Sequence, residues 1–519
     1  MILVCHIISD FFQRQGDFGV ERLGSVAMLN IHRLIYRAPE IAWNTTTNHL
    51  LWVMGLPSAP QSIRVQAARV LDEILIIVPR NLSSTGDLQP KVQRRVLDVL
   101  FKQIVPVHDV PATNTNFELR RTGLETLHQI LQASGHTFVV GWGSIFEMLG
   151  SVCKPVALSR SHSVDSVSTL SFQEMNHPLS LGQGYANDRS YTALVKIAFQ
   201  SLKLVCDSVS LLSPEDLRLC IKTLGQFGRQ ADTNIALTAA ESLLWSVSDS
   251  IQAKRKDAEI EPEYSALWMC LLLEVLGLCT DTRHEVRDGA IQTLFRAMQL
   301  YGATLTLDTW NDCIWKITFP LLDAISVETR RSTSDPAVLP PTPNLATQSD
   351  YAWDESKSLA LQSIGSIISE FLVTKIMHLE SFSKAWSVFA TQIHDTVSLD
   401  RRTLSPPALL CLGKVVRALS SAEAQLRVKV LESVECVWKA CSDMGSMVLQ
   451  GGESQFSPRT NTPRLHRAFT QESLVALVDV IRNTRSISLS QTEEEWTLER
   501  LSRVMEILKG ASPSCYDSS

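Results

Sequence analysis

No stretch of this sequence is apolar for long enough to cross a bilayer. The longest, Ala266 to Cys279, is interrupted by Glu274 and falls short of the roughly 20 helical residues a span requires, so any membrane contact is expected to be peripheral. A basic excess is also missing. The formal charge is −6 and the isoelectric point about 6.1, which argues against a chain built to neutralise nucleic-acid phosphates. The 11 cysteines are scattered from Cys5 to Cys515 with no Cys-x-x-Cys pair, a pattern of small buried residues in a reducing compartment and not of a disulfide framework or zinc site. No His-Glu-x-x-His, Gly-x-Ser-x-Gly or Walker loop occurs. Leu412-Gly413-Lys414 lacks the upstream glycine, and Gly182-Gln183-Gly184 follows no strand. These absences leave no candidate catalytic, cofactor-binding or metal-ligating residue. Met1 to Ile8 is apolar but has no basic start or cleavage site, so it does not read as a signal peptide. Beginning inside an apolar pattern with no cap before it, the chain is expected to start partway through a larger protein.

What is present is one helical unit, repeated. Its clearest copy is His284 to Ile325. Val286, Ala290, Ile291, Leu294, Ala297 and Met298 recur at a spacing that puts all six on one helical stripe. Gly302 is expected to end that helix and Asp308 to cap a second one carrying Trp310, Ile314, Ile317, Leu321 and Leu322. Neither helix buries its stripe alone, so the unit needs stacked neighbours of its own kind. The stripe recurs from Ile63, Val92, Leu119, Ile235, Ser356 and Leu426. These starts are uneven, which favours the divergent HEAT type over a regular array of about 40–47 residues per repeat. The expected fold is therefore all-α, a HEAT/armadillo-like α-solenoid, with helical repeats at 1–153, 190–325 and 353–450 and two short helices at 467–509. Between them lie a Ser-rich insertion at 154–189, a Pro/Ser/Thr-rich linker at 326–352, a linker at 451–466 and a polar tail at 510–519, all expected to be disordered.

One set of polar residues stands out. A basic side chain follows the first apolar position in several copies: Arg64, Arg120, Arg287, Lys357 and Arg427, with Gln93 and Ala236 in the same slot elsewhere. Stacking could align these cations into a ladder for an acidic partner or anionic lipid. The weightier expectation is that each pairs with a carboxylate of its own or the adjoining repeat. The tryptophans Trp142, Trp310, Trp315, Trp386 and Trp438 are expected in the core. Thr342, Ser457, Thr462 and Ser512 precede prolines, and Arg330-Arg331-Ser332 forms a basic triplet; all are placed in linkers, where phosphorylation would change the charge. Asn44-Thr45-Thr46 and Asn81-Leu82-Ser83 fit the glycosylation pattern by chance.

The runs IRVQAARVLDEIL (Ile63 to Leu75), ELRRTGLETLHQIL with GWGSIFEMLGSVC (Glu118 to Cys153), and HEVRDGAIQTLFRAM with the Trp310 helix resemble the helical regions downstream of the exchange domain in large Arf exchange factors. They are most similar to the C-terminal helical region of the Mon-two family of Golgi and endosomal peripheral membrane proteins. The resemblance is best from about Gly19 to Ile325 and consists of scaffold motifs. It implies a non-enzymatic scaffold or adaptor, cytoplasmic and peripheral on trans-Golgi and endosome membranes, that works in vesicle transport with a Dopey-type protein, an Arf-like GTPase and a phospholipid flippase. No binding residue of the family maps onto this sequence. Two alternatives remain: the regulatory region of a true Arf exchange factor, and a HEAT scaffold of another class, such as a nuclear transport receptor or phosphatase scaffold.

Overall fold

In a computed structural model of the chain, described over residues 16–37, 39–80, 86, 88–105, 114–153, 189–255, 261–334, 343–399, 401–450, 470–492 and 496–511, the regular structure is helical and no strand occurs among the described residues. The chain divides into two compact units, Met1–Lys254 and Arg255–Ser519.

The first unit contains α1 (Gly16–Leu29), α2 (Ile31–Tyr36), α3 (Pro39–Gly55), α4 (Gln61–Arg80), α5 (Leu88–Ile104), α6 (Asn114–Ser134), α7 (Trp142–Gly150), α8 (Arg189–Asp207), α9 (Pro214–Gly228), α10 (Thr233–Ser242) and α11 (Ser248–Arg255), whose last residue falls beyond the division. Each helix packs on the next helix of its own row as well as on its hairpin neighbour: α1, α4, α6 and α8 pack in series, and α3, α5, α7 and α9 form a second row. Two rows packed in this way are what stacked helical hairpins must give. The stripe on α4 is sealed, with Ala67, Leu71, Ile74 and Leu75 fully buried.

The second unit repeats the plan with α12 (Glu261–Leu276), α13 (His284–Tyr301), α14 (Leu307–Asp312), α15 (Phe319–Ser334), α16 (Pro343–Phe371), α17 (Phe382–Val397), α18 (Ser405–Ala418), α19 (Arg427–Gln450), α20 (Gln471–Thr492) and α21 (Leu498–Ala511). Here α13, α16, α18 and α20 form one row, and α15, α17, α19 and α21 the other. Each unit has a π segment, Leu243–Val247 and Cys313–Thr318, and each carries a tryptophan. Trp245 is exposed, while Trp315 donates to Ser381 Oγ at 3.1 Å and lies under the Lys384 ammonium.

Several local expectations change. Gly302 does follow the last residue of α13, but its backbone is right-handed (φ −56). Glycine suits the position because a Cβ there would sit 2.8 Å from Phe371 and 2.9 Å from Trp310. The cap of α14 is Thr306, whose hydroxyl accepts from the Thr309 amide at 3.2 Å, and not Asp308. The 326–352 linker is narrower than expected: α15 runs on to Ser334, carrying Arg330 and Arg331, and α16 starts at Pro343, proline being compatible with a first helical turn. The last helices extend to Thr492 and Ala511. The 154–189 insertion ends one residue early, at the start of α8, and the 510–519 tail begins two residues late, after α21; the rest of both, the 451–466 linker, Met1–Ile8, Gly182–Gly184, Asn81–Ser83 and the Ser/Thr-Pro sites lie outside the described residues.

Candidate functional site

Three of the five predicted basic residues occupy equivalent places, and what they bind is mainly main chain. Arg64 Nε donates to the Met54 carbonyl at 2.6 Å, in the last turn of α3, and its Nη2 reaches Asn116 Oδ1 on α6 at 2.7 Å. Arg120 Nε takes the Ile104 carbonyl that ends α5, at 2.8 Å, and its Nη2 takes Ser151 Oγ at 2.9 Å. Arg287 Nη1 takes the Asp281 carbonyl after α12 at 2.8 Å, its Nη2 the Ala352 carbonyl on α16 at 3.1 Å, and its Nε Ser356 Oγ at 2.7 Å. Its guanidinium also lies 3.8 Å over the Trp353 ring. Helix C-termini leave carbonyls without intrahelical partners and carry partial negative charge, and the five-donor guanidinium fork reaches such a carbonyl and the next repeat together. The expected carboxylate partners are thus replaced by carbonyls and hydroxyls. Burial lowers the pKa of all three arginines; for Arg287 the nearby Asp288, Asp281 and Glu285 oppose it.

The other two residues depart from the pattern. Lys357 is 1% exposed, and its ammonium has no hydrogen-bond or ion-pair partner among the described residues. Burial first, then the Arg330 and Arg401 charges, push its pKa down to about 8 against the pull of Asp354 and Asp395. Arg401, one of these charges, donates to Thr329 O at 2.9 Å and pairs with buried Asp354, itself accepting from Thr403 Oγ1 at 2.7 Å. Arg427 is exposed. Two residues on, Lys429 makes the joint, donating to Met377 O at 2.8 Å above the Phe382 ring. Lys375 does the same to Leu305 O at 2.9 Å, and Gln93 to Thr137 O at 2.8 Å. A ladder of these cations facing a partner is therefore not what the fold presents. Trp142, Trp310, Trp386 and Trp438 are buried as expected, and Trp386 and Trp310 donate to main-chain carbonyls.

His128 Nδ1 lies 3.2 Å from Ser201 Oγ, but Ser201 is fully buried and also bonds the Ile197 carbonyl, so no substrate reaches it. Burial raises the thiols of Cys279, Cys313, Cys411 and Cys441, to about 12 in the last three, which keeps them protonated and inert. No group of described residues is placed to hold a metal ion, and no described helix is long and apolar enough to cross a membrane. What remains is surface. A groove of ≈ 680 Å³ between α1 and α4 is lined by Glu21, Gln61, Val65, Gln66 and Arg69, and one of ≈ 300 Å³ over α16 by Asp354, Glu355, Gln362 and Thr403. Exposed apolar residues lie on α1 and α3 (Phe18, Leu29, Ile41, Trp52) and on α21 (Leu498, Met505).

Residues 254–449, which carry the Arg287, Lys357, Arg401 and Lys429 positions, match the family described as the C-terminal region of Mon2 protein. The Drosophila melanogaster MON2 homolog is 25% identical over 426 residues, covering 77% of this chain and 22% of that protein. The chain is related to the Mon2 proteins. It spans about a fifth of the length of the Mon2 relatives it matches. An Arabidopsis thaliana ARF guanine-nucleotide exchange factor, GNL1, is 21% identical over 333 residues, covering 61% of this chain and 20% of that protein. Among solved structures, yeast importin-β aligns with 99% of this chain and 60% of its own at 11% identity, with a TM-score of 0.29, too low to bear on function. The Mon2-matched region lies mostly in the second unit, so Arg64 and Arg120 fall outside it while their counterpart Arg287 falls within.

Proposed function

We propose that this chain is a non-enzymatic scaffold segment of a Mon2-type trafficking protein, acting in vesicle transport between endosomes and the trans-Golgi network while peripheral on those membranes. The observation that carries the reading is the use made of the polar side chains: the strongest donors join repeats to one another, leaving grooves and single exposed apolar side chains for binding. Exposed side chains on stacked helices suit protein partners, and the Mon2 relationship makes a Dopey-type protein, an Arf-like GTPase and a phospholipid flippase the partners to test. The similarity to GNL1 favours one second reading, the regulatory region of a large Arf exchange factor. Proximity labelling in cells, with this chain in its full-length context, separates them. Golgi and endosomal neighbours together with a Dopey-type protein support the scaffold. Nuclear-pore proteins without Golgi ones would overturn it, and nucleotide exchange by the full-length protein would favour the second reading.

A further inference from the structure

Asp72 lies in the middle of α4 and is 8% exposed. An acidic residue so placed needs donors, and the ones available are weak. Gln103 Nε2, at the end of α5, is 3.2 Å from Asp72 Oδ1, and it also faces Leu119 O at 3.3 Å and Thr122 Oγ1 at 3.4 Å on α6. The orientation of the amide is fixed, because Leu119 O only accepts and so must be met by the nitrogen. Its other end is the anomaly: Gln103 Oε1 is buried with no donor, an arrangement that ordinarily costs stability. The amide cannot turn away readily. A Cβ at Gly123 would come within 3.0 Å of Gln103 Cδ and 2.9 Å of Ile104, so the glutamine is laid flat against α6 where only glycine leaves room.

We propose that Asp72 is a neutral carboxylic acid in the folded chain and closes a two-point acid–amide pair with Gln103, Nε2–H donating to Oδ1 and Oδ2–H donating to Oε1. One proton then satisfies both anomalies, giving the orphaned oxygen its donor and relieving the buried carboxylate of its charge. The environment agrees. Burial is the main cause raising the Asp72 pKa to about 7, the Glu125 carboxylate on α6 raises it further, and hydrogen bonds from Gln103, Thr126 and Thr122 only partly offset them. Arg69 and Glu73, the charged neighbours on α4 itself, are exposed. The seam between α4, α5 and α6 is thereby proton-linked. The folded chain keeps a proton that the unfolded chain releases near 3.8, so stability falls as pH rises from there towards 7 and stays low above it.

The test is infrared spectroscopy of the intact chain, taken as the difference between wild type and Asp72→Asn, from pH 5 to 9, with melting curves at each pH. The expected result is a protonated-carboxyl band at pH 5–6 that fades with a midpoint near 7, together with a wild-type melting temperature that drops across the same range. Asp72→Asn, whose side-chain N–H₂ donates to Gln103 Oε1 at every pH, should lose that part of the drop. A carboxylate band already complete at pH 6 would overturn the pair. If the variant does not fold, isotope labelling of aspartate carboxyls in the wild type gives the same reading: an aspartate midpoint near 7 supports the pair, and the absence of any aspartate titrating above 6 overturns it.

Discussion

Arg287 offers the most direct test of how these repeats are joined. The side chain is 1% exposed and bridges the turn after α12 to α16. Replacing it by alanine strands the Asp281 carbonyl and removes one donor each from Ala352 O and Ser356 Oγ, although Ser356 still bonds Asp288 and the Ala352 carbonyl of its own helix. Hydrogen bonds from a charged group are worth ~1.5–3 kcal/mol each, and the Trp353 contact adds ~0.5–2 kcal/mol. Against this stands the desolvation of the guanidinium, which the variant no longer bears, so the net is expected near the ~1–3 kcal/mol of a stranded buried acceptor. Arg287→Ala is therefore expected to lose about that much in urea unfolding of the intact chain, with faster amide exchange in α13 and the first described turns of α16. Arg287→Lys keeps the charge but lacks the fork, and should fall between alanine and wild type. A loss from Arg287→Ala within ~0.5 kcal/mol, the range of an ordinary surface change, with unchanged exchange at 352–356, would refute the claim that this residue joins the repeats.

Lys357→Met should stabilise the chain at pH 7. The folded pKa is depressed from 10.5 to about 8, so a penalty of up to ~3 kcal/mol exists below pH 8 and is relieved as pH rises towards 10.5; urea midpoints of both proteins at pH 7 and 10 should converge at the higher value. Lys429→Met should cost ~1–2 kcal/mol by losing its carbonyl bond, whereas exposed Arg427→Met should change stability by less than ~0.5 kcal/mol; equal effects would remove the assignment of the joint to Lys429. Gly302→Ala forces a methyl against Phe371 and Trp310 and should destabilise by ~1–3 kcal/mol, read as a lower melting temperature.

The repeating stripe was legible because its period is set by helix geometry alone: the residues from Ile63, Leu119 and Val286 are buried as their spacing requires. Which row a helix joins was not, since both rows bury the same stripe. That is why the copy at Leu426, on a second-row helix, pointed to Arg427 when the joint is made by Lys429. The prolines before α16 read as a break, but a proline at the start of a helix leaves no signature that separates it from one in a linker. Arginine joints were visible as donors and invisible as bonds, because a main-chain carbonyl has no letter in the sequence. Asp72, between Leu71 and Glu73, reads as a solvated charge until α5 and α6 are packed over it.

The carbonyl joints have an evolutionary consequence. An ion pair between repeats ties two positions together, so that a change in one must wait for a change in the other. Where the acceptor is the backbone of a helix end, as at Met54 and Ile104, or of a turn between helices, as at Met377, any residue that leaves that turn intact will serve. Only the donor is held, and the surface on the acceptor side is free to drift toward new partners without loosening the stack.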